Sequence, residues 1–160
     1  MGNVKSIPDG YHSVCVYLNI KDAAKAIEFY KKAFGAVEKG RLTMPDGKIA
    51  HAELEVGDSR FMLAEANEEW GNKSPETYGG SPVGLCIYTD KVDEMFRRSL
   101  DNGAKIHMNM DVKDQFYGDR SGTIKDPFGH CWTICTHIED VSFPEMQKRM
   151  EKEFAQQSQN

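Results

Sequence analysis

The stretch DQFYGDRSGTIKDPFGHCWTICT, from Asp114 to Thr136, carries the clearest strand–turn–strand pattern in the chain. Ser121 to Lys125 mixes β-branched and polar residues, Asp126-Pro127-Phe128-Gly129 breaks the strand, and His130 to His137 alternates again. The spacing predicts a hairpin. On its second strand His130, Trp132, Ile134 and Thr136 share one face, and Cys131, Thr133, Cys135 and His137 the other. Trp132 and Ile134 need a cover, most simply a helix, so the Cys/Thr face looks into a different space.

Upstream, Ser13 to Ile20 alternates, with Val14, Val16, Leu18 and Ile20 opposed to Ser13, Cys15, Tyr17 and Asn19. Asp22 is placed to cap a helix whose apolar positions Ala23, Ala26, Ile27, Tyr30 and Phe34 end at Gly35. A weak strand over 36–43, the turn Pro45-Asp46-Gly47, a strand over 49–56 and another over 60–65 follow. In the last of these, Phe61, Leu63 and Glu65 oppose Met62 and Ala64. Residues 66–82 have connector composition, and then the pattern starts over: a strand over 83–89, Asp90, a helix carrying Val92, Met95, Phe96 and Leu100, and Gly103-Ala104. Setting Asp22 on Asp90 aligns the two helices at one offset of 68 residues. That argues for a duplicated βαβββ module. The second copy continues through a strand over 105–112 into the opening hairpin. Ser142-x-x-Glu145 then starts a final helix with a Met146, Met150, Phe154 stripe, and the tail beyond Ala155 is expected to fray.

The fold class is therefore α+β: two tandem βαβββ modules whose curved sheets line a cleft, plus a C-terminal helix. Module 1 runs over about 11–66, the linker over about 67–82, module 2 over about 83–140 and the last helix over about 143–156, all in a single domain covering 1–160. Within each module the helix covers one sheet face, which leaves the other free to line the shared cleft.

At 160 residues, 39% hydrophobic and 28% charged, the chain has ordinary globular composition. No apolar run reaches the roughly 20 residues that span a bilayer, and Met1 to Gly10 lacks a hydrophobic secretory segment, so a cytoplasmic protein off the membrane is expected. A net charge of −5 argues against a grip on nucleic-acid phosphates. Cys15, Cys86, Cys131 and Cys135 form no CxxC pair. Cys131 and Cys135 lie on the order of 13 Å apart along one strand, so four reduced thiols are expected.

The arrangement resembles the vicinal oxygen chelate (VOC) superfamily, which contains glyoxalase I, bleomycin resistance proteins, fosfomycin-modifying enzymes and extradiol dioxygenases. More closely, the chain is similar to its PhnB-like, glyoxalase/bleomycin-resistance branch. The residues carrying this are KDAAKAIEFYKKAFGA (Lys21 to Ala36), PDGKIAHAEL (Pro45 to Leu54), DQFYGDRSGTIKDPFGHCW (Asp114 to Trp132) and THIEDVS (Thr136 to Ser142). The resemblance implies paired modules, a homodimer, a small-molecule ligand in the cleft and, if catalytic, lyase, isomerase or dioxygenase chemistry. Metal-using members place four His, Gln or Glu ligands on the first and last strand of each module. By resemblance those positions fall here on Cys15, Leu63, Gly84 and Thr133, a set that cannot hold a hard divalent metal, so no cofactor is assigned; the resemblance leaves a divalent metal open only on a non-standard set such as His51, Glu65 and Cys15.

What remains on the inferred cleft face suits an organic ligand: Cys15, Tyr17, Phe61, Leu63, Glu65, Tyr88, Thr133 and Cys135 as substrate-binding residues, with Asn19 and Cys86 beside them. His51 and Glu53, two apart on a strand, project the same way and form either an acid–base pair or two half-exposed residues of a wet sheet face. Tyr117, Asp119 and Arg120 either build a structural corner around Gly118 or rim the cleft; the structural reading is preferred. His12, His107, His130 and His137 are read as satisfied surface or strand-end residues, and Trp132 as helix-side core. Two functions stand side by side: an enzyme using His51 and Glu53 for proton transfer, and a non-catalytic protein that sequesters a small molecule such as an antibiotic without a metal. A methyltransferase role is set aside, because no glycine-rich strand-to-helix loop is present to hold a nucleotide-like cofactor.

Overall fold

The computed structural model describes residues 4–157. The first module is β1 (Tyr17–Ile20), α1 (Ala23–Phe34), β2 (Val37–Thr43), β3 (Ile49–Val56) and β4 (Ser59–Glu65), in the sheet order β1-β4-β3-β2. A connector containing the short α2 (Pro75–Tyr78) leads to β5 (Gly84–Tyr88), α3 (Val92–Asp101), β6 (Lys105–Ile106), β7 (Lys113–Asp114), β8 (Asp119–Lys125) and β9 (Cys131–His137). The second sheet is ordered β5-β9-β8-β6, with β7 also on β8. The last helix is α4 (Phe143–Gln157); part of the tail expected to fray lies outside the described residues.

Both modules share a plan: the first strand runs parallel to the last (β1 with β4, β5 with β9) and the rest pair antiparallel. The registers revise the sequence reading of the repeat. Leu18 pairs with Leu63 as Ile87 pairs with Ile134, and the buried positions Ala23, Ala26, Ile27 and Tyr30 of α1 match Val92, Met95, Phe96 and Ser99 of α3. The offset through strand and helix is thus 69, and it slips to 68 only at Gly35 and Gly103 after the helices. An offset of 68 would set core residues on the exposed Ala24 and Glu28.

Two expected strands are shorter than the alternation suggested. Residues 13–16 lie outside β1, and Val14 is 87% exposed. The strand expected over 105–112 splits into β6 and β7, because Met108 and Asn109 adopt left-handed conformations (φ 53° and 58°) that no strand accommodates. Asp22 stands at the start of α1 but makes no side-chain cap. The cap comes from β4: the Glu65 carboxylate accepts the Asp22 and Ala23 N–H groups at 3.0 and 2.9 Å.

One core spans both modules, with α1 and α3 packed together between the sheets. Tyr30, fully buried, has its ring 5.5 Å from Phe61 of the first sheet and 5.5 Å from Trp132 of the second. The expected helix-side residues Leu18, Leu54 and Trp132 are all in this core. Gly122 lets Phe96 close on β8: an added Cβ would sit 2.6 Å from the Phe96 ring.

The Asp126 carboxylate ties the modules together. One oxygen accepts the Phe128 and His130 N–H groups, each at 2.9 Å; the other accepts the Tyr30 hydroxyl at 2.8 Å and the Trp132 indole N–H at 2.9 Å. Asp126→Ala orphans all four donors, and urea denaturation is expected to show a loss of about 3–5 kcal/mol, against about 1.5–3 kcal/mol for Tyr30→Phe, at unchanged m value.

Candidate functional site

The paired registers set which side chains leave the core. On the first sheet the open face carries Tyr17 from β1, Met62 from β4 and His51 and Glu53 from β3. On the second the corresponding face carries Cys86 and Tyr88, Thr133 and Cys135, and Ser121 and Thr123, but it is largely covered, with Ser121, Thr123 and Cys135 buried. Tyr17, His51, Glu53, Tyr88, Thr133 and Cys135 therefore lie on the faces expected of them.

Phe61, Leu63 and Glu65 do not. Phe61 and Leu63 are core residues at 7% and 0% exposure, and Glu65 caps α1. The alternation over 60–65 was read in the opposite phase, because Met62 and Ala64 are as apolar as their neighbours and only the pairing of Leu18 with Leu63 fixes which set faces the helix.

The open face of the first sheet is a connected polar row. The Tyr17 hydroxyl lies 3.1 Å from His51 Nδ1, and His51 Nε2 is 3.5 Å from the Glu53 carboxylate. Glu53 is held below the usual carboxylate range, first by the Tyr11 hydroxyl and then by His51, so at neutral pH it is an anion. Tyr11 in turn is pushed up to about 12, chiefly by burial and next by Glu53. An ionised Glu53 beside Nε2 favours the tautomer with the proton there, which leaves Nδ1 to accept the Tyr17 proton. Arg60 closes the row, bonded to Glu55 at 3.1 Å and lying over the Tyr11 ring.

The same, largely covered face of the second sheet holds a cluster the sequence reading did not assemble. Asp119, 6% exposed, accepts the Tyr88 hydroxyl at 2.8 Å and faces His137 Nδ1 at 2.7 Å, while His137 Nε2 reaches Asp140 at 3.0 Å. The signal was the hairpin register, which sets Asp119 directly opposite His137. Tyr88 is pushed up to about 12, first by Asp119 and then by burial; Cys135 also rises to about 12, mainly through burial and then through Cys86. Beside them Ser121 meets the Tyr117 hydroxyl at 2.9 Å and Thr123 meets Thr133 at 3.0 Å. Arg120 points away and clamps Asp93 of α3 and Asp114 of β7, as the structural reading of that corner required. Gly118 serves the same corner: its φ is 98°, and an added Cβ would fall 2.1 Å from the Glu139 carbonyl.

A cavity of about 470 Å³ lies between the segment 12–16 that leads into β1, the β3–β4 turn and β5. Cys15, Phe61 and Tyr88 line it, together with Cys86, Arg60 and Trp132; His51, Glu53, Thr133 and Cys135 do not.

A family model for the Glyoxalase/Bleomycin resistance protein/Dioxygenase superfamily matches residues 12–134. The chain belongs to this superfamily. Among its relatives, the uncharacterized protein Rv0887c of Mycobacterium tuberculosis is 41% identical over 137 residues, covering 84% of this chain and 79% of that one. The crystal structure of TioX from Micromonospora sp. ML1 superposes with a TM-score of 0.62 at 25% identity, covering 79% of this chain and 99% of TioX. The PhnB protein of Bacillus cereus matches with a TM-score of 0.57 at 17% identity over 78% of this chain and 99% of that one, a likeness of fold. None of the helices is long and apolar enough to cross a membrane among the described residues.

The superfamily's metal positions do not fit a metal here. Leu63 is sealed in the core, and the β4 residue equivalent to Thr133 is Met62, so the corrected set of Cys15, Met62, Gly84 and Thr133 still lacks hard donors. Among the described residues no group of three or more His, Cys, Asp or Glu side chains is placed to hold an ion.

The raised His137 pKa, due first to Asp119 and then to Asp140, fixes a pH dependence. A histidine whose folded pKa exceeds its unfolded value stabilises fully below the unfolded pKa of about 6.5, and the contribution fades as pH rises through the folded value. The stability gap between the wild type and His137→Gln is therefore expected to be larger at pH 5.5 than at pH 9, read from urea midpoints at the two pH values.

Proposed function

We propose that the protein binds a small, uncharged organic molecule in the cavity bounded by the segment 12–16, the β3–β4 turn and β5. The observation that carries this is the lining: Phe61 and Trp132 are its aromatic residues and Val14, Val16, Leu85 and Ile87 its aliphatic ones, with Cys15, Cys86 and Tyr88 beside them and His12, Asp58, Ser59 and Arg60 as its polar side. A volume of about 470 Å³ is within the usual range for organic ligands. Arg60 at the rim is already neutralised by Glu55 and Glu53, so an anionic guest gains little from it. Sequestration needs shape and aromatic walls and no Lewis acid, in keeping with the unsuited metal positions. The proposal includes a homodimer and a cytoplasmic setting that keeps the four free cysteines reduced.

A second reading, catalysis, is favoured by one observation, the hydrogen-bonded row Tyr17, His51, Glu53. In it His51 takes the Tyr17 proton at Nδ1 while Glu53 steadies Nε2, so that Tyr17 presents an oxygen base to a substrate lying on the sheet. The general acid–base step would serve isomerase- or lyase-type proton movement. His51→Gln should then lower kcat by roughly 10²–10⁴-fold with little change in thermal stability; turnover unchanged across a carbonyl and epoxide panel would leave sequestration alone standing.

For the cavity itself, a thermal-shift screen of uncharged bicyclic aromatics is the direct measurement. At a hundredfold excess over Kd the expected stabilisation is about 2.7 kcal/mol, or roughly 5–10 °C for a domain of this size. Cys86→Trp, which puts an indole into the cavity mouth, should abolish the shift while raising or preserving the unliganded Tm.

A further inference from the structure

The sequence reading treated 66–82 as a connector and gave 105–112 one strand with no role. In the structure α2 of the connector, the start of β6 and the end of β8 together border an open cavity of about 580 Å³, with Lys21, Lys105 and Lys125 in its lining. No residue lines both this cavity and the one beside β5.

Lys105 of β6 and Lys125 of β8 are register partners, so their side chains leave the sheet on the same side from Cβ atoms about 4.5–5.5 Å apart. Like charges set directly opposite one another destabilise a sheet. The neighbour of Lys125 on its other side is Cys131, so this row across the sheet holds no acid. Both lysines are exposed, and among the described residues neither has a carboxylate partner. The first sheet is built differently: there Lys39 and Arg60 pair with Glu55, and Arg41 with Glu38.

The acids that border the cavity are already committed. Asp126 is buried and turned to its four donors, the Asp22 carboxylate holds Lys25 at 3.0 Å, and Glu76 holds Lys21 at 3.3 Å. The Lys105–Lys125 pair is what is left uncompensated. Two ammonium groups on one side of a sheet are matched by two negative charges on one compact group, which a single carboxylate does not carry and a phosphate does. The remaining space suits an organic substituent: a Cβ built on Gly79 or Gly80 meets nothing within 4 Å, and Pro75, Pro127 and Phe128 supply apolar surface.

We propose that Lys105 and Lys125 form a binding site for a phosphate dianion, free or as the monoester of a small organic molecule, with both ammonium groups donating to its oxygens. This site is separate from the cavity assigned above to an uncharged guest, and it gives the connector a role as one of its walls.

The test titrates inorganic phosphate and phenyl phosphate into the full-length protein by calorimetry at pH 8, with sodium chloride holding the ionic strength constant. A monoester, whose second pKa is about 6, is a dianion there. The double variant Lys105→Gln/Lys125→Gln should bind both ions at least roughly tenfold more weakly than the wild type, because each lost charged donor weakens the complex. The double variant Lys113→Gln/Lys148→Gln removes the same charge from exposed lysines outside the cavity and should stay within about twofold of the wild type. Absence of binding by the wild type, unchanged affinity in the first variant, or an equal loss in the second overturns the proposal, the last because the attraction is then the diffuse field of the surface. Phenyl phosphate that binds more tightly than inorganic phosphate assigns the site to a monoester, and equal affinities assign it to the free ion.

Discussion

A buried carboxylate holds the two halves of this protein in register. Asp126 is 4% exposed, and a polar group so placed is tolerated only when its hydrogen-bonding capacity is met. Two donors are local, the N–H groups of its own turn, and would be satisfied in any DPFGH hairpin. The other two are not local: Trp132 comes from the strand that follows, and Tyr30 from the helix of the opposite module, 96 residues away in sequence. Docking α1 anywhere else would strand the Tyr30 hydroxyl in the core and leave its Asp126 oxygen with Trp132 alone. The contact thus fixes the packing of α1 against the second sheet, and with it the spacing of the edge strands β1 and β5. Those strands belong to different sheets, and the larger cavity opens beside β5, under the segment that leads into β1.

The duplicated modules have kept their core faces and changed their open ones. Phe61 and Trp132, Leu63 and Ile134, and Leu54 and Ile124 occupy matching places, as a shared packing problem demands. On the other side His51 and Glu53 stand where Ser121 and Thr123 stand in the second copy, and Met62 where Thr133 stands. One face is charged and hydrogen-bonded in a row; the other is built of thiols and hydroxyls around Asp119. The two surfaces have diverged in chemistry within one fold, and fold alone does not assign a reaction to either.

The hairpin, the helices and the division of Leu18, Leu54 and Trp132 from Tyr17, His51 and Thr133 were legible in the sequence because each rests on a local period. What was not legible depends on pairing between distant strands. The stretch from Arg60 to Glu65 is apolar on both parities, so only the β1–β4 register reveals that Phe61 and Leu63 face the helix. Glu65 looked like a cleft carboxylate, and its partners, two N–H groups on the first turn of α1, are 42 and 43 residues upstream. Asp119, His137 and Tyr88 come together for the same reason, across a hairpin and a parallel neighbour. His130 misled differently: a histidine after a DPFG turn reads as exposed, and its burial follows from a connector whose packing no periodicity describes.

The distribution of exposed apolar side chains supports the binding site proposed above. Val14, Tyr17, Val83 and Tyr88 are exposed at 87%, 46%, 58% and 64%, and all four border the cavities that flank β1 and β5. Scattered singly, such residues would need no explanation; gathered along one line beside open cavities, they form a surface that is costly to leave wet. Filling the gap with larger residues would have been simple, since Cys15 and Cys86 face it and either could be a leucine. Small thiols at those positions keep the space open, while Asp126 and Tyr30 hold the strands apart from below. A gap anchored by the most connected buried contact of the fold and lined with small side chains is what the proposed binding site requires.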